Sequence, residues 1–95
     1  MGLSAKLVFE VPFDDRTADE AEARGWFGCA HVELSDGRVY PVEFYHPIRL
    51  AQDLETQAAN GRPFIAEQGL IVVAEVTLEI MESAVERLSL EGFWG

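Results

Sequence analysis

The sequence holds one cysteine, two histidines, four prolines and only seven basic residues against 17 acids. Each shortage excludes something. A lone Cys29 rules out a disulfide within the chain and leaves the paired-cysteine zinc motifs without material. An unpaired thiol suits a reducing cytoplasm, which sets the expected localisation. Long apolar runs are missing too: the longest, Leu70 to Ala74, falls far short of the ~20 residues a membrane helix requires. The start, Met1-Gly2-Leu3-Ser4-Ala5-Lys6, has one lysine and no apolar stretch, so it does not read as a secretory signal. Lys6 also stands where myristoylation asks for Ser or Thr. A cytoplasmic chain with no membrane partner is expected.

The scarcity of bases excludes a second class. Net charge is −10, and binding to a phosphate backbone requires clustered Lys and Arg that release counterions. Nucleic acid is therefore excluded as an expected partner. Six of the seven bases are arginine, a usage typical of GC-rich bacterial genomes. Catalytic signatures are absent as well: there is no Gly-rich phosphate loop, no GxSxG and no HExxH. The acids from Asp14 to Glu22 break the alternate-position pattern of an EF-hand at Asp14-Asp15-Arg16-Thr17. No cofactor is implied.

What is present is a globular composition. Apolar residues make up 48% and aromatics 11%, enough for one core in a chain whose length fits a single domain, 1–95. Residues 5–11 read as a strand stopped by Pro12. The stretch 14–24, with Asp14, Asp15, Asp19, Glu20 and Glu22 and no apolar stripe, reads as an exposed loop or a marginal helix. Phe27–Leu34 and Arg38–His46 flank Ser35-Asp36-Gly37, a hairpin signal. A two-residue turn would split the apolar series Ala30, Val32, Leu34 and Tyr40, Val42, Phe44 between opposite faces. A three-residue loop, with Gly37 left-handed, puts them on one face and pairs Val32 with Tyr40, Ala30 with Val42 and Gly28 with Phe44. Pro41 marks an unpaired stretch of the second strand, most simply a sheet edge.

Pro47 opens a helix with an apolar stripe of Leu50, Ala51, Leu54 and Ala58, closed by Asn60-Gly61. His46, just before it, reads as an N-cap or loop residue. Phe64–Ala66 reads as a short strand. Leu70–Val76 reads as a strand whose unbroken start, Leu70-Ile71-Val72-Val73, is covered on both faces. Thr77 caps a last helix carrying Leu78, Met81, Val85 and Leu88 at helical spacing. The expected fold is α+β: a small, mainly antiparallel sheet in the order β-β-β-α-β-β-α with two helices on one face.

Two constellations are candidates for function. On the hairpin, the inward series leaves Cys29, His31 and Glu33 on the other face, with Glu43 opposite Cys29. A thiol, an imidazole and two carboxylates on one face could activate a nucleophile or hold a metal ion. Neighbours at i and i+2 stand roughly 6–7 Å apart on a strand, long for a direct Cys–His hydrogen bond. A small buried Cys and a structural His are the simpler account. On the last helix, Glu75, Glu79, Glu82 and Glu86 are spaced 4, 3 and 4 and form one acidic stripe. Solvation alone can carry such a face; the functional alternative is a docking surface for a basic partner. The aromatic pairs Trp26-Phe27 and Phe93-Trp94 belong to the core, or to an interface wherever one is exposed. The leading expectation is a non-catalytic interaction or regulatory module binding a basic protein. The alternatives are a small enzyme or metal protein using Cys29, His31, Glu33 and Glu43, and a homodimer closed over the Pro41 edge with Phe27 and Tyr45 outermost.

Overall fold

In the computed structural model, which describes residues 4–94, strand β1 (Ala5–Phe9) leads through helix α1 (Asp15–Arg24) to β2 (Trp26–Leu34). The chain continues through β3 (Val39–Tyr45), α2 (Pro47–Ala59), β4 (Leu70–Val72) and α3 (Leu78–Leu90). The four strands lie in the order β1-β2-β3-β4. The first two pairings are antiparallel and β3–β4 is parallel, so the fold is α+β with a mainly antiparallel sheet, as the pattern predicts. Two details of element order differ. The acidic stretch is a regular helix, and Phe64–Ala66 is coil.

Capping explains why α1 forms without an apolar stripe. Asp14 accepts from the Thr17 N–H at 2.8 Å and Gly25 closes the far end in the left-handed conformation, donating to the Ala21 carbonyl. That N-cap bond also holds the Asp14 carboxyl below its ordinary range. Glu20 pairs with Arg16 one turn before it and Arg24 one turn after it. Each such pair adds a few tenths of a kcal/mol. Only Ala21 of this helix is buried.

The hairpin follows the three-residue loop. Leu34 donates to the Arg38 carbonyl at 2.9 Å, and Gly37 has φ +95°, a value that strains any side-chain-bearing residue. Val32 faces Tyr40 and Ala30 faces Val42, but the register shifts between Phe27 and Ala30. Phe27, rather than Gly28, therefore faces Phe44, and Gly28-Cys29 together oppose Glu43 as a bulge. Pro41 is not on an edge strand, since β3 is interior. It is tolerated because β4 is short: the β3–β4 pairing begins only at Glu43 opposite Leu70. Gly69 turns the chain into that pairing with φ +83°, its α-carbon packed so close to the Pro41 carbonyl that a Cβ would collide with it.

One apolar cluster joins the inward strand residues Ala30, Val32, Val42 and Phe44 to Ala21 of α1 and Met81 and Val85 of α3. The two helices on one face are therefore α1 and α3. At the α1 end, Phe9, Phe13 and Phe27 form an aromatic triad with ring centroids 4.4 to 5.6 Å apart. At the other end, the turn after α3 folds Trp94 back onto Tyr40, and Arg38 donates to the Trp94 carbonyl at 3.2 Å. Helix α2 buries no residue. Of its predicted stripe Leu50 is half-buried while Ala51, Leu54 and Ala58 are exposed, Leu54 at 41%, and polar contacts help to hold the helix. Tyr45 Oη donates to Asp53 at 3.1 Å, and Arg49 donates to both Asp53 and the Arg24 carbonyl. His46 caps it, accepting from the Ile48 N–H at 3.1 Å. At the β4 edge Val72 is 50% exposed, so burial on both faces, expected for Leu70–Val73, fails there for want of an outer layer. Among the described residues no helix is long and apolar enough to cross a membrane.

Candidate functional site

Strand alternation puts His31, Glu33 and Glu43 on the sheet face away from the core, as predicted, but they do not form one group. His31 faces Val8 of β1 and Pro41 of β3. Its Nδ1 lies 3.0 Å from Glu10 and its Nε2 3.0 Å from Glu33. Two carboxylate acceptors require both ring nitrogens to donate, so this environment selects the imidazolium. The hydrogen bond to Glu33 and then that to Glu10 raise the His31 pKa above its ordinary value. A doubly anchored imidazolium has no lone pair free to act as a base or to bind a metal.

Glu43 belongs to a different neighbourhood. It accepts from the Trp26 indole at 3.4 Å, while Trp26 lies across Gly28. Burial, then a hydrogen bond with Glu67, raises its pKa. Cys29 sits exposed in the bulge between the two groups. No hydrogen bond or ion pair among the described residues joins it to His31. Nor does any trio of His, Cys, Asp and Glu side chains among them stand close enough to hold a metal ion. The nucleophile and metal readings of this face therefore lack the geometry they need.

Glu10 and Glu67 escaped the sequence argument. Glu10 is brought to His31 by the β1–β2 register, which no local signal specifies; Glu67 arrives on the coil before β4. That coil and α2 also enclose an open cleft of ≈ 430 Å³, lined by Tyr45, Asp53, Gln57, Arg62, Phe64 and Glu67. The Tyr45 hydroxyl there is pushed up to about 12 by burial and by its bond to Asp53. Arg62 lies over the Phe64 ring at 4.6 Å. The homodimer expectation also loses its footing, because Phe27 and Tyr45 are buried within the chain and β3 is no edge.

The glutamate stripe is where the pattern placed it. Glu75 precedes the Thr77 cap, and Glu79, Glu82 and Glu86 ride on α3, all four exposed. Five of the six arginines are committed elsewhere: Arg16 and Arg24 to Glu20, Arg38 to Asp36, Arg49 to Asp53 and Arg87 to Glu91, while Arg62 stacks on Phe64. No ion pair among the described residues reaches the stripe.

Beside it runs the edge of β1, which among the described residues pairs with β2 alone. Ser35 donates to the Ser4 carbonyl and Glu10 to the Cys29 carbonyl, which fixes the phase of the antiparallel ladder. Lys6 and Val8 bond to β2, so the N–H and C=O groups of Ala5, Leu7 and Phe9 point out of the sheet edge. Between this edge and α3 lies a groove of ≈ 760 Å³ whose walls include Ala5, Leu7, Glu82, Val85, Glu86 and Leu90. Searches against protein-family models, curated proteins and solved structures found no match to this chain.

Proposed function

We propose that this chain is a non-catalytic interaction module of the cytoplasm whose acidic α3 face binds a basic protein partner. One observation carries the reading: no ion pair among the described residues reaches Glu79, Glu82 or Glu86, so they face solvent without an internal counter-charge. Like charges at i,i+3 and i,i+4 cost a helix about 0.2–0.5 kcal/mol per pair. A basic surface laid over them removes that repulsion and adds attraction. Such exposed charges are screened beyond about 8 Å at physiological ionic strength, so binding is salt-sensitive.

The test is affinity capture at about 0.1 M and about 0.5 M salt, with two charge-matched variants. One carries Glu79→Gln, Glu82→Gln and Glu86→Gln. The other carries Asp19→Asn, Glu22→Gln and Glu55→Gln, removing equal charge from α1 and α2. A basic protein retained at low salt by the wild type and the second variant, and lost by the first, is expected. Retention that ignores the stripe, or survives high salt unchanged, overturns the reading.

A further inference from the structure

Resting on that reading, we infer that the partner docks as an extended basic segment in the groove between β1 and α3, adding to the sheet as a fifth strand beside β1. Three features of the groove converge on this occupant. Its floor is a strand edge whose Ala5, Leu7 and Phe9 backbone groups form no hydrogen bond outside the sheet among the described residues, and an unpaired edge pairs with an extended chain that reaches it. Its wall is α3, whose Glu82 and Glu86 both line it. The spacings also agree. Residues one helical turn apart, i and i+4, are separated by about 6 Å along the axis. Alternate residues of a strand are separated by about 6.5 Å. Lys or Arg at every second position of an added strand therefore meets Glu82 and Glu86 in turn.

The apolar residues between the two carboxylates suit long basic side chains. Val85 is buried at the base and Leu90, 79% exposed, stands at the end. Methylene stems can lie on such surface while the charged head reaches a carboxylate. Among the described residues Lys6 is the one cation lining the groove, and alternation turns its side chain to the other sheet face, where Glu33 is its register partner. A second copy of the chain is the wrong occupant at low salt. Pairing β1 with β1 would bring together two chains of net charge −10 with their acidic stripes alongside.

The experiment titrates the full, isotope-labelled chain with a capped heptapeptide alternating Lys and Val. An analogue methylated at the backbone nitrogens that would face β1 keeps the charge and loses the ladder. Expected are NMR shifts and slowed amide exchange at Ala5, Leu7 and Phe9, and no binding of the methylated analogue. Glu82→Gln with Glu86→Gln should weaken binding roughly three- to tenfold at low salt, from two exposed pairs. Equal binding of the methylated analogue, or shifts centred away from β1 and α3, overturns the added strand and leaves the acidic-module reading standing. No binding of either peptide at low salt overturns both. A dimer in light scattering that occupies the β1 edge and excludes the peptide also overturns the inference.

Discussion

Helices α2 and α3 carry comparable apolar stripes, yet the structure gives them opposite roles, and a pair of truncations separates them. Met81 on α3 is fully buried, at 0% exposure, inside the single apolar cluster; Leu54 on α2 is 41% exposed and outside it. Removing a buried Met side chain loses its transfer free energy and leaves a cavity, together about 2–5 kcal/mol. A domain of this length has about 5–14 kcal/mol in total, so Met81→Ala removes a large share. At roughly 4–8 °C per kcal/mol, its melting temperature falls by about 10 °C or more. Leu54→Ala loses only part of a half-exposed contact and gains the better helix former, for a net change within about 1 kcal/mol. Urea unfolding followed by circular dichroism reads both as midpoint shifts at constant slope. If Leu54→Ala shifts the midpoint as far as Met81→Ala, α2 packs its stripe against something, and the account of which helices form the core is wrong. Dependence of that shift on protein concentration would identify a second copy as what it packs against.

Three further predictions follow from single contacts. The fold raises the His31 pKa above 6.5, so its contribution to stability is fully present below the unfolded value and is lost as pH rises through the folded one. His31→Gln should flatten the stability profile in that window, and a titration midpoint for His31 at or below 6.5 refutes the clamp by Glu10 and Glu33. The Trp94 indole N–H is buried with no acceptor among the described residues, and a stranded donor costs about 1–3 kcal/mol. Trp94→Phe should therefore shift the unfolding midpoint by less than about 1 kcal/mol, against about 3–5 kcal/mol for Trp94→Ala; equal losses for the two would show that the N–H has a partner. Gly69→Ala places a Cβ against the Pro41 carbonyl, while Gly61→Ala, at a similar φ of +86°, meets nothing within 4 Å. The first should cost clearly more than the ~1 kcal/mol of left-handed strain expected of the second, and equal midpoints would refute the close approach.

The hairpin register was legible from residues alone because a slip of one position would have turned Ala30, Val32 and Leu34 to solvent. The helical spans of α2 and α3 were legible for a similar reason, since the spacing of Pro47, Thr77 and the apolar stripes marks where a helix starts and which face is apolar. What covers that face is not written in the period, and α2 shows the consequence: most of its stripe meets solvent while Asp53 and Arg49 help to fasten the helix by polar contacts. Helix α1 was ambiguous because its stability comes from an Asp14 cap, a Gly25 stop and pairs to Glu20, none of which leaves a hydrophobic signature. The shared face of His31, Glu33 and Glu43 was read correctly, but its division into two clusters was not. That division depends on Glu10 and Glu67, which long-range register and a coil bring in from elsewhere in the chain.

An open β1 edge is a hazard before it is a site, because exposed strand edges recruit copies of themselves. Chains of net charge −10 resist that encounter, and Glu82 and Glu86 concentrate the resistance at the groove beside the edge. The same carboxylates lower the cost of approach for a strand of opposite sign. Acidity placed there therefore separates two kinds of approach, opposing a second copy that brings its own acidic stripe and favouring a basic segment. Charge such as that of Asp15, Asp19 and Glu22 on α1, none of which lines the groove, keeps the protein dispersed without making that distinction. The position of the stripe, more than the total charge, is what gives the interaction reading its content.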